Sequence, residues 1–111
     1  MKRLMAVLAL LLLLTGVRPP ERQYLLDPAR IISPGKIWLS GNILFVNDRY
    51  RGVHIFDISN PALPVRLAAV AIEYNVDIAV KGDALYADSN GSLLVYDISQ
   101  PANPRFVRAM P

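Results

Sequence analysis

The chain has 111 residues and no cysteine, which excludes a disulfide scaffold, a thiolate metal centre and a cysteine nucleophile. Its formal charge of +3 is a property of the first few residues. Without Lys2 and Arg3, residues 18–111 carry ten Lys and Arg against nine Asp and Glu, too even a balance to attract nucleic acid or anionic lipid.

Met1-Lys2-Arg3 is a basic start, and Leu4 to Leu14 is an unbroken apolar run. This is the plan of a secretory signal, and the run is shorter than the roughly 20 residues of a spanning helix. Leu14-Thr15-Gly16-Val17 stands where a bacterial lipoprotein signal carries its lipidated cysteine. With no thiol, lipid attachment by that route is closed. No Ala-x-Ala site follows, and Pro19-Pro20 comes close behind. The expectation is an exported chain, periplasmic, outer-envelope or extracellular. Residues 1–17 serve either as a signal peptide or as an uncleaved anchor held in the membrane by residues 4–17. Residues 18–35 contain prolines and charges without periodicity and read as a linker. Within it, Ala29-Arg30-Ile31-Ile32 is a candidate stray strand.

From Lys36 onward the chain repeats itself. Val53-His54-Ile55-Phe56-Asp57-Ile58-Ser59-Asn60-Pro61-Ala62-Leu63-Pro64 returns as Leu93-Leu94-Val95-Tyr96-Asp97-Ile98-Ser99-Gln100-Pro101-Ala102-Asn103-Pro104. Upstream, Gly41-Asn42-Ile43-Leu44-Phe45-Val46 answers to Gly82-Asp83-Ala84-Leu85-Tyr86-Ala87. The first copy holds one extra residue around Asn47 to Gly52, as a lengthened hairpin loop would. Expected strands are Ile37–Leu39, Ile43–Val46, Val53–Ile58 and Val65–Ile72, then Val76–Val80, Ala84–Ala87, Leu93–Ile98 and Arg105–Met110. Ser89-Asn90-Gly91 holds an Asn-Gly pair suited to a tight hairpin. Ile43-Leu44-Phe45-Val46 and Leu93-Leu94-Val95-Tyr96 are apolar on both faces, so both faces need cover. Four short strands per forty-residue unit is the arithmetic of a β-propeller blade. The fold class is all-β: two four-stranded blades, at residues 36–73 and 74–111, behind an N-terminal hydrophobic signal helix.

The blocks resemble the LVIVD repeat, a family of bacterial envelope-associated, propeller-like repeats. Its motif is an apolar run ending in Asp, then Ser and two prolines. Leu93-Leu94-Val95-Tyr96-Asp97 follows it closely, and Val53-His54-Ile55-Phe56-Asp57 follows it with a histidine in the run. The resemblance implies fold and address, and carries no catalytic residue.

A propeller takes several blades, and this chain supplies two. The expected partners are therefore further blades of the same propeller, on a longer chain or by self-association. An envelope protein or a glycan is a further candidate partner; nucleic acid is not. His54 is the lone histidine and cannot form a usual structural zinc site. The expectation is a satisfied histidine on a covered face. Asp57, Ser59, Pro61 and Pro64, with Asp97, Ser99, Pro101 and Pro104, recur by the repeat and read as structural turns. Arg49-Tyr50-Arg51 occupies the lengthened hairpin without a counterpart, and is the candidate binding feature for a carboxylated ligand or glycan. Asp77 and Asp88 could hold a divalent cation such as Ca²⁺. They belong to an alternative reading, a metal-dependent, lactonase-like hydrolase. The leading reading is a non-enzymatic binding or scaffold module without cofactor. A truncated remnant without independent function is the third.

Overall fold

The computed structural model describes residues 24–111, so the expected signal helix or anchor at 1–17 lies outside the described residues. Eight strands follow: β1 (Pro34–Ser40), β2 (Ile43–Asp48), β3 (Gly52–Asp57), β4 (Val65–Ala71), β5 (Ile78–Lys81), β6 (Ala84–Ser89), β7 (Ser92–Asp97) and β8 (Arg105–Met110). They form two antiparallel sheets in simple meander order, β1-β2-β3-β4 and β5-β6-β7-β8. Each repeat is one sheet, the plan of a propeller blade.

Several strand ends shift by one to three residues from the sequence reading, β2 and β6 each running two residues longer; three further differences have a local reason. β1 begins earlier, at Pro34, and absorbs an irregularity between Pro34 and Ile37. β5 begins later, at Ile78, because the amides of Val76 and Asp77 donate to the Asp88 carboxylate. Ala29–Ile32 is not a strand. Its first half is a turn closed by Ala29 N–H on Asp27 Oδ1 at 2.9 Å, and Ile32 N–H is held by a side chain rather than by a ladder.

One core joins the sheets, built from Phe45, Val53 and Ile55 of the first and Ile78, Val80, Leu85 and Ala87 of the second. The two blades present non-equivalent faces to it. The register runs Trp38↔Phe45 and Phe45↔Ile55 in the first sheet, but Val80↔Leu85 and Ile78↔Ala87 in the second. At the repeat offset of 41, the first-blade counterparts of Ile78, Val80, Leu85 and Ala87 are Ile37, Leu39, Leu44 and Val46. These lie on the opposite face of their sheet from Trp38 and Phe45. The blades therefore stack front to back, a heterologous contact. That is why a blade strand is apolar on both sides. Ile37 and Leu39 are 60% and 58% exposed, whereas their buried counterparts Ile78 and Val80 are 2% and 7% exposed.

Hairpin chemistry sets the register. Asn90 and Gly91 have φ of 48° and 88°, the paired positive values of a two-residue turn that matches strand twist. Gly52, with φ 143°, lies against β4: a Cβ there would come within 1.9 Å of the Val70 carbonyl oxygen.

Candidate functional site

The lengthened hairpin Arg49-Tyr50-Arg51 lies where the blades meet. Its backbone is tied down on three sides. Arg49 N–H donates to Ser33 O at 2.8 Å, Tyr50 N–H to Asn75 O at 2.8 Å, and Arg51 N–H to Asp48 O at 2.9 Å. In return Tyr50 O accepts from Tyr74 N–H and Arg51 O from Ile72 N–H, both at 3.0 Å. These bonds hold Tyr50 and Tyr74 in the left-handed region, at φ 66° and 58°. For a bulky residue that conformation costs of order 1–3 kcal/mol, and it persists only where surroundings enforce it.

The consequence is an aromatic cluster. Tyr24 reaches over from the segment ahead of β1, with its ring centroid 5.1 Å from that of Tyr50 and 6.5 Å from that of Tyr74. All three rings are partly exposed, between 38% and 47%. They line an open groove of about 510 Å³ together with Leu26, Arg51 and Glu73. The Arg51 guanidinium sits 5.8 Å from the Tyr24 ring centroid and donates to Arg49 O at 3.1 Å. The two guanidiniums of the hairpin part company. Arg51 lines the groove, whereas the Arg49 side chain lies beside Gly35.

Beneath the groove a buried amide network joins the blades. Asn47 Nδ2 donates to Asn75 Oδ1 at 2.7 Å and to Asn75 O at 3.1 Å. Asn75 Nδ2 passes the contact on to Asp77 O, Asp88 O and Asp88 Oδ1. Both asparagines are fully buried. Asp88 Oδ1 also accepts from Val76 N–H and Asp77 N–H, each at 2.9 Å. Asp77 Oδ1 pairs with Lys36 Nζ at 2.8 Å and accepts from Ile78 N–H. The Lys36 ammonium holds the Asp77 carboxyl below its ordinary range. These two aspartates thus lie near each other, with Oδ1 of each already engaged. Among the described residues, no three His, Cys, Asp or Glu side chains converge in a manner fit for a metal ion.

On the other side of the hairpin, Asp48 clamps the segment ahead of β1. Its carboxylate accepts from Ile32 N–H at 3.1 Å and Ser33 N–H at 2.8 Å, and lies 3.0 Å from His54 Nε2. Arg66 Nη1 stands 2.6 Å from His54 Nδ1. A guanidinium can only donate, so Nδ1 accepts and the ring proton sits on Nε2, facing Asp48. Burial pushes the Asp48 carboxyl up, but the Ser33 and Ile32 amides and the His54 ring outweigh it, and it rests below its ordinary value. Asp48 and His54 are wholly buried. A β-bulge completes the chain. The register slips between Ile55 and Phe56, so Phe56 pairs with Arg66. Arg66 then shares the His54 face, with its guanidinium 4.6 Å from the Phe56 ring centroid. The second blade has the same bulge, with Leu94 and Phe106 in the places of His54 and Arg66.

The repeated Asp-Ile-Ser blocks form matching turns at the far end. Asp57 Oδ1 accepts from Ser59 N–H and Asp97 Oδ1 from Ser99 N–H, both at 2.8 Å. Those serine amides hold both carboxyls below their ordinary range. Pro61, Pro64, Pro101 and Pro104 lie in the loops that follow, before β4 and β8.

Sequence reasoning singled out Tyr50 and Arg51 but not Tyr24, Glu73 or Tyr74, which come from connectors without periodicity. It also missed Asn47, Asn75 and Arg66. For Asn47 and Arg66 the available signal was a polar side chain in an otherwise apolar strand; Asn75 lies in the connector ahead of β5.

No curated protein and no solved structure shows significant similarity to the chain. The family model described as LVIVD repeat matches residues 34–70 and again 74–110, one match per sheet, and the chain belongs to the LVIVD repeat family.

Proposed function

We propose that the chain is a non-enzymatic binding module of a propeller-type protein, exported to the bacterial cell envelope, with its ligand seated on the hairpin side of the blade junction. The observation that carries this reading is the tyrosine groove. Two tyrosines are held in a costly backbone conformation at an open groove where apolar side chains meet three phenols, Arg51 and Glu73, a mixed lining suited to recognition. Export rests on the Met1–Val17 pattern. The expected structural partner is a further blade, from a longer chain or a second copy. Its support is the exposed face around Ile37 and Leu39, whose second-blade equivalent is buried against the first sheet. The geometry lends the hydrolase alternative less support, because backbone amides and Lys36 already engage one oxygen of each carboxylate it would use.

Hydrogen–deuterium exchange on the full chain tests the reading, with and without a solubilised cell-envelope fraction. The expected result is new protection at residues 24–26, 50–51 and 72–74. Unchanged exchange there overturns the groove as the binding site. Recovery of the full chain in the cytosolic fraction of its cell would overturn the address.

A further inference from the structure

We infer that the groove takes an uncharged oligosaccharide, whose sugar rings lie along the exposed edges and faces of Tyr24, Tyr50 and Tyr74. This inference rests on the groove being the binding site. It follows from the spacing of the rings and the charges beside them. Centroid separations of 5.1 and 6.5 Å, with interplanar angles of 50° and 57°, are those of rings in mutual contact. Tyr24 packs against both of the other rings, so neither of those two pairs leaves room for an alkylammonium head between its members. The three tyrosines are each partly exposed and line the groove.

Charge narrows the choice further. Arg51 and Glu73 both line the groove, one positive and one negative, so neither an anion nor a cation meets a one-signed field. The described residues as a whole carry eight Lys and Arg and eight Asp and Glu, which adds no long-range bias. The Glu73 carboxylate is exposed and forms no side-chain hydrogen bond or ion pair among the described residues, leaving an acceptor for ligand hydroxyls. The phenol groups add three points that both donate and accept. A wholly apolar ligand would leave these groups desolvated without partners. A sugar ring offers what they require: an apolar C–H face for the rings and a hydroxyl rim for Glu73 and the phenols. The cavity, about 510 Å³, lies within the common range for small-ligand sites.

The test is calorimetric titration of the full chain with two uncharged probes, cellotetraose and chitotetraose, and two charged ones, a tetragalacturonate and choline. Binding of at least one uncharged probe is expected, weakened at least about tenfold in Tyr24→Ala and in Tyr74→Ala. It is expected to be unchanged in Leu63→Ser, at a residue outside the groove. Circular dichroism melting of each variant separates lost binding from lost fold. If only a charged probe binds, and the tyrosine substitutions abolish it, the groove stands and the uncharged-saccharide assignment is overturned. Binding that ignores the tyrosine substitutions, or no binding by any probe, overturns the assignment as well. The exchange experiment with envelope material then decides separately whether the groove itself is a site.

Discussion

The two blades solve one problem in two ways. Each must fix the segment that leads into its first strand, and each does so with a carboxylate from the second strand that grips two successive backbone amides. In the first blade Asp48 holds Ile32 and Ser33; in the second Asp88 holds Val76 and Asp77. What stands behind the carboxylate differs. Asp48 is backed by a histidine and an arginine in its own sheet. Asp88 is backed by Asn75 at the junction; Leu94, packed against the core, and the more exposed Phe106 stand in the places of the imidazole and guanidinium. The fold needs the clamp. The buried polar chain is an addition specific to the blade that also carries the lengthened hairpin.

The most severe way to break this comparison is to remove each clamp in turn. Asp48→Ala leaves a buried imidazole and two amides without their acceptor, and should cost about 3–5 kcal/mol. Asp88→Ala acts at a half-buried position and should cost about 1–3 kcal/mol. Urea denaturation of the two variants beside the parent chain measures both; equal losses would mean that His54 and Arg66 add nothing to Asp48. A gentler test rewrites the first blade in the style of the second. His54→Leu alone should cost about 1–3 kcal/mol, since Asp48 and Arg66 both lose a partner. Adding Arg66→Phe should cost less than the sum of the two single changes, by about 0.5–3 kcal/mol. Strict additivity in the same denaturation series would deny the coupling.

Acid titration sharpens the contrast. The Asp48 carboxyl is held below the ordinary value of 3.8, so its folded form is the more acidic one. Its stabilising contribution is complete above that value and is lost as pH falls through the lower folded one. Asp57, Asp77 and Asp97 shift in the same direction, so the whole chain should lose stability in that window. The loss between about pH 5 and about pH 2.5 should be smaller in Asp48→Asn than in the parent. A parallel loss in both proteins, followed by urea midpoint, would remove Asp48 from the account. The smallest effect belongs to the hairpins. Tyr50→Asn should change stability by less than about 0.5 kcal/mol, because relief of the left-handed backbone offsets the lost ring contact. A loss above about 2 kcal/mol, read from thermal melts, would show that the ring serves the fold rather than a ligand.

The sheets were legible in the sequence because their signals are local. Apolar runs marked the strands, Asn90-Gly91 marked a turn, and the repeat aligned the two copies. Strand ends were less legible. Val76 has the composition of a strand residue, but its amide belongs to Asp88, a side chain twelve positions away. The site was legible only in part. The hairpin stood out as an insertion without a counterpart, which pointed to Tyr50 and Arg51. Tyr24 and Tyr74 lie far apart in sequence, in segments with no period, and only the closing of the junction brings them together. Arg66 reaches His54 because a bulge shifts β4 by one residue, and no pattern in β4 announces that slip.

The Asp48 clamp also has a mechanical meaning. Tension on the chain ahead of Ile32 reaches the buried carboxylate before it reaches the β1–β2 ladder. Two amide bonds, braced by an imidazole and a guanidinium, must give way before the first strand can peel from its neighbour. The blade is thereby built with a stop against pulling from its N-terminal side, and the stop sits beside the hairpin that shapes the groove.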